Sequence, residues 1–536
     1  MVDRYSYGNH IHYSTHHSYI LNIFLITPVG WIQLAINTFA PYSFMRSNHL
    51  FFSLIFFAFF VCTTSAIANP RLTVVVVVDG LTQDNLASLR SYWSAGGLRT
   101  MSEEAFQTTI HFPHTVNGGA ETTATLMTGT TPFHHGVMAD RYFSRNDRRI
   151  QETLYDHEVS GINSELKLSP RSILTTTLTD EWRLRYGEKS MIYAIGIQPQ
   201  TTIIMAGHAA NACCWLDATY KKWSTTSFYA EGLPTPADNM NTHGRVKQLL
   251  ERVWTPRMEI SMYTSPTKQE RRKLFNYLPK EHIHNTPATN TLVIELALEL
   301  QKAKQLGIDL TPDMLLLQLT TLSPKATSDA ITSAEHEDMY LGLNQDLGYL
   351  MSQLNQRIGK SNYQILLVGR PRLGYATSVI EQIGIPVQHF NVDRSAALIS
   401  TYLMAIYGHE RWIDGGYGPF IYLNRTLIEQ KRLPLETIQR QVANFLMDFE
   451  GVQVAYPIHE AIISDSRTSI HSKNAGDVYF QLQENWLLDT NERLTYDYVI
   501  QSSPQAPLML WSGTMRTFPT EEIDATDVKS LLLNHF

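Results

Sequence analysis

The stretch Arg71 to Gly80 reads RLTVVVVVDG, and its aspartate is the residue whose type and setting point most directly to chemistry. Five consecutive valines are too short and too β-branched a run for a buried helix, so they predict a central parallel strand covered on both faces. Asp79 then stands at the carboxyl end of that strand. Open α/β sheets bind ligands there, and a carboxylate in that place is a natural metal ligand or phosphate-site residue. A second candidate is the segment HFPH, which sets His111 and His114 three apart. That spacing can serve a metal, although beside Pro113 a loop role is the favoured reading. Cys213 and Cys214 are adjacent and are expected as two small buried residues rather than a strained vicinal disulfide.

The elements that must position these residues follow an α/β order from Asn69 onward. The expected fold is a doubly wound, mostly parallel sheet with helices on both faces. Short apolar strands are predicted at Ser190 to Ile197, Asp313 to Leu319, Gln364 to Val368 and Pro507 to Trp511. Amphipathic helices are predicted at Thr175 to Tyr186, Thr289 to Gln305, Glu337 to Ile358 and Leu435 to Phe449, the last ended by Gly451. The segment 215–287, rich in Tyr, Thr, Pro and Lys, reads as an insertion or cap on the main domain. No repeat and no linker between domains is visible.

The chain has 536 residues, a formal charge of -7 and 43% hydrophobic content, which fits a globular protein able to bury a large core. With no long basic run, nucleic acid is not expected as a partner. Residues 1–44 read as an upstream extension and Met45 as the start. Arg46, the apolar run Leu50 to Cys62 and the Ala66-Ile67-Ala68 site make 45–68 a secretory signal peptide, leaving a mature domain at 69–536. The apolar run is shorter than the roughly 20 residues a membrane span needs. The protein is therefore expected to be exported, periplasmic or envelope-associated, with no transmembrane span in the mature chain.

Six stretches in order, VVVVVDG at 74–80, TATLMTGTTPFHHGV at 123–137, SPRSILTTTLTDEW at 169–182, MAGHAANACCW at 205–215, YLNRTLIEQKRL at 422–433 and AGDVYFQL at 475–482, carry a resemblance. Together they resemble the alkaline phosphatase superfamily, in its type I phosphodiesterase and nucleotide pyrophosphatase branch, and within it the bacterial alkaline phosphatases with a threonine nucleophile. The resemblance implies two zinc ions held by about six carboxylate and imidazole ligands, a threonine at a helix N-terminus, and Asn, Lys and Arg side chains on the phosphoryl oxygens. Asp79 matches the first metal ligand. The nucleophile position falls on Gly119, with Thr115 and Thr122 the nearest hydroxyls, and the phosphate-binding asparagine on Asp140. The Lys and Arg of the phosphate clamp fall on Gln198 and Gln200. The paired aspartate and histidine ligands of two further segments fall on Leu322 with Ala326 and on Arg370 with Pro371. No histidine lies between His471 and His535.

The resemblance thus implies a scaffold whose metal ligands, nucleophile and phosphate clamp are gone, with no cofactor expected, no catalytic residue, and Asp79 left as an anion available to pair with Arg370. The expected role is a pseudoenzyme that binds an unidentified protein partner or acts as an assembly subunit. Two alternatives stand beside it. One is a phosphate-ester hydrolase with a rewired site, using Asp79 with Thr115, Glu121 or His111 and His114. The other is a binder of an anionic small molecule through Arg370, Arg372 and Lys325. His134, His135 and His208 are expected to be scaffold hydrogen-bonders.

Overall fold

The computed structural model describes residues 70–116, 118–263, 275–324, 333–371, 374–376, 384, 386–463, 469–489, 498–500, 504–513 and 523–534. The upstream extension, the signal segment with Asn69, and the candidates Lys325, Ala326 and Arg372 lie outside these residues.

The strands of the two principal sheets and one hairpin run, in chain order, β1 (Leu72–Asp79), β2 (Phe106–His111), β3 (Arg141–Ser144), β4 (Arg149–Glu152), β5 (Gly161–Ile162), β6 (Ile192–Gly196), β7 (Ala212–Asp217), β8 (Lys222–Thr226), β9 (Asp313–Thr320), β10 (Tyr363–Gly369), β11 (Ile413–Tyr417), β12 (Phe420–Leu423), β13 (Val452–Pro457), β14 (Val478–Leu482), β15 (Gln505–Ser512) and β16 (Ile523–Asp524). Helices packed against them include α1 (Ala120–Thr128), α2 (Leu178–Tyr186), α3 (Pro199–Ala206), α4 (Thr235–Thr242), α5 (Arg245–Leu250), α6 (Pro287–Lys304), α7 (Ala334–Arg357), α8 (Val392–Tyr407) and α9 (Leu435–Leu446).

Among the described residues the main sheet has the order β16-β2-β15-β10-β1-β9-β6-β7-β8-β5, which puts the valine strand in its middle. Strands β10, β1, β9, β6 and β7 run parallel, and β15 enters antiparallel between β10 and β2. Val76 pairs across to Leu367 on one side and Leu317 on the other. Because strand side chains alternate in direction, Val74, Val76 and Val78 enter one core with Leu292 and Leu296 of α6 and Leu343 and Leu347 of α7. Val75 and Val77 enter the opposite core with Leu126 of α1, Trp182 of α2 and Ile203 of α3. Each valine is fully buried, and each contributes about 1.5 kcal/mol or more by leaving water. The doubly wound α/β expectation holds.

Two boundaries differ from the sequence reading. Segment 215–287 is not a cap over the described part of the domain. Trp215 belongs to β7, β8 extends the main sheet, and Trp223, Ala237 of α4 and Leu249 of α5 pack in the same core as Val74. Its apolar residues are spaced among Tyr, Thr and Lys, so average composition hides a buried face. The separate small sheet lies instead at β11-β12-β14-β13, with its own core of Ile399, Trp412, Ile438, Val442 and Phe480. The second difference is that α9 ends at Leu446, before Gly451. Gly451 instead has φ 88° at the entrance to β13, where an added Cβ would run into the Trp486 ring.

Charge ties the turn of the β3–β4 hairpin to the small sheet. Buried Asp477 forms an ion pair with Arg145 Nη1 at 2.8 Å and accepts from Arg425 Nε at 2.6 Å and from the Leu423 N–H at 2.7 Å. Among the described residues no helix is long and apolar enough to cross a membrane.

Candidate functional site

Asp79 ends β1 between the carboxyl ends of β9 and β10, and Arg370 follows β10 directly, its N–H bonded to the Val78 carbonyl at 3.1 Å. The Arg370 Nε and Asp79 Oδ1 form a direct ion pair in which the two side chains are 12% and 4% exposed. The other guanidinium nitrogens reach Thr201 Oγ1 at 3.4 Å and Gln198 Oε1 at 3.3 Å. Gln318 of β9 donates to Asp79 Oδ2 at 3.0 Å. Burial pushes the Asp79 carboxyl pKa up, and the Arg370 charge and the Gln318 hydrogen bond oppose that shift.

Gly119 is the N-cap of α1, and an added Cβ there would lie 2.6 Å from Arg370 Cζ. The volume in which a side chain at position 119 would begin is therefore filled by the guanidinium. The neighbouring hydroxyls point back into their own helix, Thr122 donating to the Gly119 carbonyl at 3.0 Å and Thr123 to the same carbonyl at 2.7 Å. Glu121 accepts the Gly118 N–H at 2.5 Å. Asp140 reaches the same helix end, its Oδ1 accepting the Ala120 N–H at 2.8 Å. Gln200 fixes the segment that carries Asp140, donating to the Asp140 carbonyl at 2.8 Å and to Glu152 Oε2 at 2.5 Å while its own oxygen accepts the Leu154 N–H at 3.0 Å.

On the other side of Asp79, Leu322 lies over Gly80, whose φ is 75°, with Leu322 Cδ2 2.6 Å from where a Cβ would stand. Pro371 is buried beside Arg370. The structure thus gathers Asp79, Arg370, Gln198 and Gly119 at one point, with Asp140 and Gln200 at the adjoining end of α1.

The remaining candidates are engaged elsewhere. His111 ends β2, in register with Gln505 and Asp524. His114 is buried, its Nδ1 3.0 Å from the Thr115 carbonyl and its Nε2 2.8 Å from Thr125 Oγ1, which also contacts His135 Nε2 at 3.2 Å. Burial lowers the His114 pKa to about 4 and holds that of His135 well below its ordinary value. The Thr115 N–H donates to Ser469 Oγ at 2.9 Å. His208 pairs through Nδ1 with Asp180 at 2.8 Å, and Asp180 is itself part of the capping box of α2. Cys213 and Cys214 are free and buried on opposite faces of β7, one in each core, and burial pushes the Cys214 thiol up to about 12.

Sequence reasoning missed Gln318, Thr201 and Glu152. Gln318 left one signal, a lone amide in the apolar strand DMLLLQLT. The side chains around Asp79 are the Gln318 amide, the Arg370 guanidinium and the apolar Leu322, with no second carboxylate or imidazole among them, which does not fit a divalent metal. Among the described residues no group of three or more His, Cys, Asp or Glu could hold a metal ion.

The sequence profile of the type I phosphodiesterase / nucleotide pyrophosphatase family matches residues 73–504. Alkaline phosphatase PafA of Elizabethkingia meningoseptica is 24% identical over 484 residues, covering 84% of this chain and 88% of that protein. Alkaline phosphatase PhoV of Synechococcus elongatus is 26% identical over 323 residues, covering 56% and 58%. The crystal structure of wild-type PafA superposes with a TM-score of 0.75 at 22% identity over 87% of this chain and 95% of that one, a likeness of fold. The chain belongs to the type I phosphodiesterase / nucleotide pyrophosphatase family.

Proposed function

We propose that this chain is a catalytically silent member of its family, exported, and used for binding or as an assembly subunit. The observation that carries this is the position of the Arg370 guanidinium, which pairs with Asp79 and fills the space above Gly119. A cation at that point repels a divalent metal, and two like charges 4 Å apart cost about 4 kcal/mol at an effective dielectric near 20. A glycine carries no nucleophile, and the nearby Thr122 and Thr123 hydroxyls are bonded to backbone. Export rests on Arg46, the apolar run to Cys62 and the Ala66-Ile67-Ala68 site.

The test is metal analysis of protein purified without chelator, together with phosphomonoesterase and phosphodiesterase assays. The expected result is no stoichiometric zinc and no turnover. Zinc near two per chain with turnover that falls in Asp79→Ala would overturn the proposal in favour of a working phosphate-ester hydrolase. Intact-mass analysis of the native protein should place its N-terminus at or near Asn69.

A further inference from the structure

Gly119 is not explained by backbone conformation. It has φ -104° and ψ -29°, a conformation open to any L-residue. Replacing a glycine by alanine at such a position ordinarily stabilises a protein, by restricting the unfolded chain. Space is the constraint. A Cβ on Gly118 would lie 2.9 Å from Asp140 Oδ2, and one on Gly119 would overlap the Arg370 guanidinium.

We propose that the two glycines are kept bare by these two charged side chains, so that the strand-end cleft is latched shut by ions of the chain itself. This rests on the reading of the site as catalytically silent. Arg370 is the internal cation. Its side chain has a flexible stem and could swing aside, but only by leaving Thr201, Gln198 and the buried carboxylate of Asp79. Asp140 is the chain's own anion, exposed at the rim beside the start of α1. Its Oδ1 already holds the Ala120 N–H at the start of α1, and Gln200 fixes its backbone. The carboxylate at the strand end is therefore charge-paired, and the Ala120 amide at the helix end hydrogen-bonded, from within the chain. A free divalent cation finds the first taken, and a free phosphate finds the second taken.

A mutant cycle on the full-length purified protein tests this by thermal unfolding. Gly119→Ala should lower Tm by about 5 °C, because the guanidinium is evicted and Asp79 loses its counter-charge. Arg370→Met should lower Tm by a similar amount, and the double variant should be no worse than Arg370→Met alone. If Arg370→Met fails to fold, the same alanine is placed in Asp79→Asn/Arg370→Met, where the buried charges are gone. There Gly119→Ala should leave Tm unchanged or raise it. Inorganic phosphate should not raise the Tm of the wild-type protein.

A neutral or stabilising Gly119→Ala in the wild-type background, losses that add in the double variant, or a phosphate-dependent rise in wild-type Tm would each overturn the latch. Additive losses in an inactive, zinc-free protein would sink the latch alone. Zinc with turnover would sink the functional reading whatever the cycle showed.

Discussion

Gln318 donates from Nε2 to Asp79 Oδ2 at 3.0 Å, while its Oε1 accepts the N–H groups of Ile197 and Gln198 at 3.1 and 2.8 Å. One amide thereby fastens the carboxyl end of β9 to those of β1 and β6, at a point with no exposure to solvent. Gln318→Leu keeps the volume but strands a carboxylate oxygen and two backbone donors. The expected loss is about 3 kcal/mol in urea denaturation, since buried groups left unpaired cost more than the bonds they made. A loss below about 1 kcal/mol would show that the strand ends do not depend on this side chain.

His114 sets an acid-side dependence. Burial lowers its pKa from 6.5 to about 4, so the unfolded chain takes up the proton first as the solution is acidified. Its contribution is complete above pH 6.5 and is lost as pH falls from 6.5 toward 4, amounting to about 3 kcal/mol. The stability advantage of the wild type over His114→Gln, read from denaturant midpoints across that window, should shrink toward acid. His114→Gln should remove this share of the dependence, while His135 and His284, which burial also holds low, act in the same direction.

Asp346 acts with the opposite sign. Burial raises its pKa from 3.8 to about 7, against the opposing charge of Arg257 and the Thr291 hydroxyl hydrogen bond at 3.1 Å. The folded state therefore holds this proton after the unfolded chain has released it, and stability falls as pH rises from 3.8 to about 7. Asp346→Asn retains an oxygen to accept from Thr291 and removes the penalty. Above pH 7 the variant should be the more stable by about 4 kcal/mol, with no difference at pH 3.5. Equal stabilities at pH 8 would refute the assignment.

Periodicity made the sheet legible. A β-branched run such as Val74 to Val78 has one reading, and short apolar runs around Met314 to Leu317 and Ile365 to Val368 supply its neighbours, so the strand ends carrying Asp79 and Arg370 fall side by side. What covers Gly119 was not legible. Position 119 reads in sequence as a missing hydroxyl, whereas in space it is occupied by a guanidinium from the far end of β10, and no local pattern announces a contact between segments so distant. Gln318 was visible only as an oddity of composition. Segment 215–287 misled because Trp223, Ala237 and Leu249 are single buried residues among polar ones, and burial of that kind is set by the partner surface rather than by the segment's average.

The place of β15 bears on how the chain is made. Among the described strands β2 pairs only with β15 and β16, and β15 also completes the edge of β10, yet residues 505–524 are translated roughly 400 residues after β2. A nascent chain emerging from the ribosome has the valine strand and its parallel neighbours in hand while β2 waits through most of synthesis without a partner. Two strand edges then stay open at once, the arrangement that invites pairing with other chains. The main sheet closes only once β15 has emerged, and a ribosome-stalled chain that stops before Gln505 should be captured by chaperones as an unfinished sheet.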